Sequence, residues 1–524
     1  MLEAEMRIRF ANALIVDGTG SPPQMGELLV EGDRIAEVGS SSLSSDECLD
    51  LRGAVLCPAF IDMHSHDDFV LSVEADNFPK TRQGVGTVVV ANCGLSAYPA
   101  NEKVRSFYER FSPVIFGESG GSDGIFETLS SFRKGLEGKG IATNVVPLVG
   151  HGNIRAMVMG LEQRAPSPPE RRAMAELVAQ AHEEGAFGLS TGLVYPPGAY
   201  AETDELIELA KVAAAYGGFY ATHLRDEGPR LIEAFKEALT IGKAAKIPVQ
   251  ISHHKAGGRF NWGKVKKTLV LLEEANKEHL DVSSDVYPYT AGSTLLSAMF
   301  LPLWVFEGGQ EATLRRLADP HVRSRIIEDV EKRFADFWGL PRHLLRFYPV
   351  RRLFRWLLTE LSRAVVLSSL PKQSHHEGKS VYQIVRERKK DLFEVLFELL
   401  LEEELAISAI AHVMSEDDVR RVLLHPTTMI GTDGFPQRKG KPHPRGFGTY
   451  PRIIEHYVQK EKLLSLEAAI HKMTGLVARK LGLKDRGVLK AGAFADLLVF
   501  EPQKCATARL FPSQGSIPRA LYTF

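Results

Sequence analysis

Apolar and polar positions change rhythm along this chain. From Met6 to Phe60 they alternate in short stretches, MRIRFANALIVDG, GELLVEGDRIAEVG and CLDLRGAVLCPAF, punctuated by Gly and Asp. That alternation predicts a small antiparallel sheet with one buried face. From Ala54 onward the texture shifts, and apolar runs alternate with helix-like stretches. Eight runs carry the pattern: AVLCPAFID, GVGTVVVAN, TNVVPLVG, GAFGLS, GGFYAT, IPVQIS, LDVSSDVY and TTMIGT. Eight strands with intervening helices predict an α/β fold, a TIM-like (β/α)8 barrel rather than an open doubly wound sheet. Two further runs, AVVLSSL from Ala364 and LAISAIAHV from Leu405, compete for places in that count.

The segment between the seventh and eighth runs is far too long for a crossover. It is expected to be an insertion over about 291–405 that covers the barrel mouth, with a Trp- and Arg-rich helical stretch from Arg342 to Arg363. After the eighth run, HKMTGLVARKLGL reads as helix, and GVLKAGAFADLLVFEP returns to strands and turns. The expected organisation is therefore a catalytic barrel over 58–480 and a small β-sandwich domain built from both chain ends, 1–57 and 481–524. No internal repeat or flexible linker interrupts it.

Composition narrows the function classes. Hydrophobic residues make up 44% of the 524 positions and charged residues 25%, the balance of a globular chain with a large core. The 64 Lys and Arg against 65 Asp and Glu leave a net charge of -1, which argues against a nucleic-acid partner and leaves recognition to local charges. Four scattered cysteines, Cys48, Cys57, Cys93 and Cys505, make no disulfide scaffold and suit a reducing cytoplasm. The N-terminal MLEAEMRIRFANALIVDG lacks the pattern of a secretory signal. The most apolar stretch, Leu295 to Phe306, is about half a bilayer span and contains Pro302, so no membrane partner is expected.

Polar residues fall at the C-terminal ends of the expected strands, where a barrel carries its site. The first run is followed by His64 and His66, the second by Cys93, the third by His151, the fifth by His223, the sixth by His253, His254 and Lys255, and the eighth by Asp433. His64 and His66 are two apart on extended chain, so their imidazoles point the same way and can share a metal. Alone such a pair arises by chance; with His223, His253 and Asp433 at matching strand ends it points to a metal site. Cys93 is open to three readings: a buried small hydrophobe, a thiolate that with imidazoles selects zinc, or the nucleophile of a Cys–His pair. Asp433, in GTDG, can ligate a metal, move a proton from water to a leaving group, or cap the next helix. His151 and His254 suit packing or support roles equally well, and His375-His376-Glu377 lacks zinc-helix spacing and reads as loop. Lys255, Tyr287 and Arg445, if not solvated, suit a bound carboxylate and hence a small anionic substrate.

In sum these residues resemble the N-acyl-D-amino-acid deacylase (D-aminoacylase) family of the amidohydrolase superfamily. The resemblance rests on AFIDMHSHDD, VVANCGLSAYP, PLVGHGNIR, GLSTGLVYPPGAYAETDEL, THLRDEG, ISHHKAGG, DVYPYTAGST, GTDG with HPRGFGTYPR, and MTGLVARKLGLKDRGVLKAGAFADLLVF, in order across most of the chain. It implies zinc held tightly by Cys93, His223 and His253, with His64, His66 and Asp433 forming a second, weakly occupied position. It also implies Asp433 as general acid/base, and Lys255, Tyr287 and Arg445 around the substrate carboxylate. The expected reaction is metal-dependent hydrolysis of an N-acyl-D-amino acid, the D preference resting on the resemblance alone. The alternatives are a cyclic-amide or dipeptide hydrolase of the dihydroorotase, hydantoinase or isoaspartyl-dipeptidase kind, and a catalytically silent binding protein. Hydantoinase-type relatives bridge two metals with a carboxylated lysine, and the fourth run, continuing as GAFGLSTGL, has none. The closing PSQGSIPRALYTF departs from the family pattern and puts the last sheet strands in doubt.

Overall fold

The computed structural model of the chain describes residues 6–39, 44–115, 124–338, 340–435, 439–505 and 522–523. Each of the eight apolar runs contributes one barrel strand. In order they are Phe60–Asp62, Val85–Val90, Asn144–Pro147 continued by Val149–Gly150, Gly188–Gly192, Phe219–His223, Val249–Ile251, Val282–Val286 and Thr428–Ile430. Every neighbouring pair is parallel. The ring closes between the first and eighth strands, where the Met63 N–H donates to Ile430 O at 3.3 Å and Ser65 bridges Gly434. Strands four, five, six, seven and eight are buried at every position, so apolar runs rather than alternation mark them.

Helices between the strands bury one stripe against this ring. In Leu231–Ala245 the buried positions are Leu231, Ala234, Phe235, Ala238, Leu239, Ile241, Gly242 and Ala245, the spacing of an amphipathic helix. The helix Pro168–Glu183 begins on a capping box, with Glu170 Oε2 accepting the Ser167 N–H at 2.7 Å, and carries proline in its first turn.

The two additional strand-like runs are strands, but not of the barrel. Val365–Ser369 and Ser408–Ala411 pair antiparallel with each other, and Gly292–Leu295 pairs with the far edge of Ser408–Ala411. This three-stranded sheet and five helices between residues 309 and 402 share an apolar core of their own, including Phe300, Val330, Phe354, Leu367, Phe393 and Leu396. Its third strand lies past residue 405, the expected edge of the insertion. The Trp- and Arg-rich stretch forms the helix Tyr348–Leu361 within it.

Strands from both chain ends join one seven-stranded sheet. Leu497–Phe500 pairs with Val55–Pro58 on one side and with Tyr522–Thr523 on the other. Phe10, Leu28, Val30, Leu56, Leu497 and Val499 form its apolar cluster. Apart from Tyr522 and Thr523, the closing PSQGSIPRALYTF lies outside the described residues. All four cysteines are free, and among the described residues no helix is long and apolar enough to cross a membrane.

Candidate metal centre

The barrel brings the strand-end residues to one point. His64 and His66 follow the first strand, Cys93 the second, His223 ends the fifth, His253 follows the sixth and Asp433 the eighth. Cys93 Sγ lies 3.3 Å from His64 Nε2, 3.5 Å from His253 Nε2 and 3.7 Å from His223 Nδ1. Asp433 Oδ1 lies 3.4 Å from His64 Nε2 and 3.3 Å from His66 Nε2. Donor atoms of His64, Cys93, His253 and Asp433 all fall within 4.8 Å of one another. A second group, His223, Glu227 and His253, meets the same limit and shares His253 with the first. The two close groups overlap at His253, and the second brings in Glu227, which the sequence reading did not include.

The backbone is bent to achieve this convergence. Cys93, His253 and Asp433 all adopt left-handed conformations, with φ of 54°, 36° and 47°. None is glycine, so each position carries strain that the surrounding packing has to hold, as functional sites commonly do. At Cys93 the support is close: a Cβ built on Gly192 would sit 2.0 Å from Cys93 O, so only glycine on the fourth strand admits the bend. At Asp433 the backbone N–H donates to His64 O at 2.8 Å, tying the eighth strand to the first.

A sheath of charged and polar groups surrounds these donors. Asp285 Oδ1 accepts the His253 backbone N–H at 2.8 Å, and its other oxygen accepts from Gln250 at 2.9 Å. Glu227 Oε1 lies 3.0 Å from His253 Nδ1 and 2.6 Å from Lys255 Nζ, and that ammonium is also 2.7 Å from His253 Nδ1. Arg445, at the start of the helix Arg445–Arg452, places Nη1 2.6 Å from Asp433 Oδ2 and donates from Nη2 to Ser293 O at 3.1 Å. Lys255 Nζ and the Arg445 guanidinium lie 5.8 Å and 4.8 Å from the centre of the Tyr287 ring.

Burial sets the protonation states. It pushes the imidazoles of His223 and His253 well below the usual range and His66 to about 4, so these rings are neutral and can donate lone pairs. Burial lifts the Cys93 thiol, so a metal bound here has to displace its proton. Burial would also raise Asp433, but Arg445, His253, His64 and His66 outweigh it and hold the carboxyl well below its ordinary range.

These features fit a thiophilic divalent metal. One sulfur, several neutral imidazoles and a carboxylate are the donor set that zinc favours. His66 Nδ1 is buried without a hydrogen-bond partner, and its ring stacks on Phe435 at 4.3 Å, which fixes the plane in which Nε2 faces Asp433.

Two residues with open roles lie elsewhere. His254 is 2.6 Å from Thr268 Oγ1 and packs on Phe235 among the outer helices. His151 is 2.8 Å from Glu205, which Arg155 also engages. His375 and His376 lie in a single turn of 3-10 helix within the insertion. Glu227, Asp285 and Tyr195 were not singled out from the sequence. Tyr195 meets the His223 ring edge-on at 5.2 Å and its hydroxyl is 3.0 Å from Thr294 Oγ1. Each lies within a motif stretch of the sequence, THLRDEG, DVYPYTAGST or GLVYPPG.

Comparison with known proteins gives the site its context. A family model described as "Amidohydrolase family" matches residues 392–515. A D-aminoacylase of Alcaligenes xylosoxydans xylosoxydans is 37% identical over 96% of this chain and 89% of its own length. An N-acyl-D-glutamate deacylase of the same organism is 34% identical over 93% of this chain and 86% of its own. The crystal structure of an N-acyl-D-glutamate deacylase from Bordetella bronchiseptica, complexed with zinc and a phosphonate mimic of the tetrahedral intermediate, superposes with a TM-score of 0.81. It is 29% identical and covers 100% of this chain and 95% of that one.

Proposed function

The chain belongs to the N-acyl-D-amino-acid deacylase family of the amidohydrolases, and from that premise we propose how its own residues carry the reaction. It is a zinc-dependent hydrolase that cleaves the amide bond of N-acyl-D-amino acids to a carboxylate and a free D-amino acid. The observation that carries the reading is the meeting of Cys93, His64, His253 and Asp433 donor atoms within 4.8 Å at the C-terminal mouth of the barrel.

Cys93, His223 and His253 would hold the zinc, with His64, His66 and Asp433 the donors for a second metal position. When bound, zinc supplies a Lewis acid for the amide carbonyl and brings the pKa of water down to about 7. Asp433 is the general base and acid: its carboxylate takes the proton of the attacking water and returns it to the departing nitrogen, which cannot leave as an anion. Arg445, Lys255 and Tyr287 surround the position of the substrate carboxylate, so binding energy away from the scissile bond orients it. The buried imidazoles of His223 and His253 are neutral and offer lone pairs to the metal, while the Cys93 thiol has to give up its proton.

The test combines metal content and turnover. Purified protein is expected to contain zinc and to hydrolyse N-acetyl-D-amino acids but not their L forms or hydantoins. Asp433→Asn is expected to lower kcat by about 10²–10⁴-fold, the usual worth of a positioned acid/base. Full turnover in that variant, or none of these substrates cleaved by zinc-loaded protein, overturns the reading.

A further inference from the structure

The helix Tyr348–Leu361 of the insertion is apolar on more than its packed side. Phe354 and Leu358 are buried in the insertion's own core. Leu353, Trp356, Leu357 and Leu361 follow one another at spacings that put them side by side on the helix surface, and all four are exposed. Leu353 and Trp356 are each 57% exposed, and Phe347 and Tyr348 at the helix start are more exposed still.

This surface is also cationic. Between Arg342 and Arg363 the chain carries six arginines and one acidic residue, Glu360, which Arg363 engages at 2.8 Å. Arg351 and Arg355 face Glu331 at 2.8 Å and 2.6 Å, and Arg342 pairs with Asp336. Arg346 and Arg352 are exposed and form no ion pair among the described residues. Across a groove of about 820 Å³ the helix Val381–Arg388 adds Arg386, and Lys389 follows it, both exposed and likewise without an ion pair among the described residues. The rings of Tyr348, Trp356 and Tyr382 line the same groove.

We propose that this face of the insertion docks on the surface of an anionic lipid bilayer. Leu353, Trp356, Leu357 and Leu361 enter the boundary between headgroups and acyl chains, and Arg346, Arg352, Arg386 and Lys389 meet lipid phosphates. Apolar side chains in line at helical spacing, with aromatic rings beside them and cations on the rim, are the composition of an interfacial helix. Neutral lipid would take up the leucines but leave the four cations without a counter-charge. A second copy of the chain, packed on the same face across a two-fold axis, would set those cations against their own copies. No described helix is long and apolar enough to cross a membrane, and contact at its surface needs no such helix.

The experiment sediments the full-length, zinc-loaded enzyme with vesicles of phosphatidylcholine alone, or of phosphatidylcholine with about one-third phosphatidylglycerol. Binding to the mixed vesicles should be at least about tenfold tighter, and should weaken as salt is raised toward about 0.5 M. Because apolar burial and charge both contribute, Leu353→Ser with Trp356→Ser, and separately Arg352→Glu with Lys389→Glu, should each lower that affinity about tenfold or more. All four side chains are exposed, so an unchanged circular dichroism spectrum and melting curve are expected to show that both variants fold. Lys267→Glu with Lys277→Glu, on the exposed side of another helix, makes the same change in net charge and should leave binding within about twofold of wild type. No binding, equal binding to the two kinds of vesicle, full affinity in either double variant of the face, or an equal loss in the Lys267 and Lys277 control overturns the proposal. So does a wild-type dimer in solution that Leu353→Ser with Trp356→Ser dissociates, since a second copy would then cover the face. Each of these results leaves the deacylase reading standing, because that reading is tested by turnover of soluble substrates.

Discussion

Asp285 Oδ1 sits 3.3 Å from His64 Nδ1, on the side of the ring opposite the nitrogen that faces Cys93. The same oxygen accepts the backbone N–H of His253, so one buried carboxylate aims two donors on different strands. It lies inside the seventh strand and is buried. Groups that orient metal ligands in this way are typically worth 10- to 100-fold in affinity.

Asp285→Asn keeps the shape and removes the charge beside His64. The expected outcome is zinc bound roughly 10- to 100-fold more weakly in competition with a chelator, with an unchanged far-UV circular dichroism spectrum. Wild-type affinity in a folded variant would mean that the carboxylate merely fills space.

Arg445 faces two demands at once. Its guanidinium is 2.6 Å from Asp433 and is a chief reason, after burial in the opposite sense, that this carboxyl is held so low. A substrate carboxylate docking on the same guanidinium draws it from Asp433 and makes the base stronger when it is needed. Arg445→Met removes both effects. KM is expected to rise by at least about tenfold from the lost charge-assisted contacts. The sign of the pH effect follows from the pair: without the cation Asp433 titrates higher, so the acid limb of the kcat/KM profile moves to higher pH. A profile that stays in place, or moves to lower pH, would sink the proposed coupling.

The barrel was legible because its strands are buried on both faces and so read as apolar runs such as TVVV and PVQI. The site was legible because a parallel barrel delivers every strand's C-terminal residue to one mouth, which makes neighbours of His64, Cys93, His223, His253 and Asp433. What local pattern cannot supply is partnership. Val365–Ser369 and Ser408–Ala411 read as strands and are strands, but periodicity does not say which sheet accepts them. Asp285 sits within a run that looks like core, and its inward direction is set by the closed ring rather than by its neighbours in sequence. Glu227 lies on an irregular segment after the fifth strand, where no period predicts that its carboxylate folds back to His253 and Lys255.

Closure of the barrel beneath the site depends on a buried ammonium. Lys80 Nζ lies 2.8 Å from Asp62 Oδ2 and 2.9 Å from Asp67 Oδ2, with all three side chains buried. Asp62 in turn accepts the Thr432 N–H at 2.8 Å and its hydroxyl at 2.7 Å, so the first strand is tied to the turn that carries Asp433. Lys80→Met leaves two carboxylates buried without a cation. Breaking a buried ion pair from one side costs about 3–5 kcal/mol, so a drop of that order in unfolding free energy is expected at pH 7.5. Burial already lifts the Asp67 carboxyl against the pull of Lys80, and without Lys80 it titrates higher still in the folded state, so the stability of the variant is lost as pH rises and regained as it falls. The deficit against wild type should therefore shrink between pH 7.5 and pH 5. Urea unfolding at the two pH values checks both parts, and a loss below about 1 kcal/mol at pH 7.5 would show that the barrel closes without this ion pair.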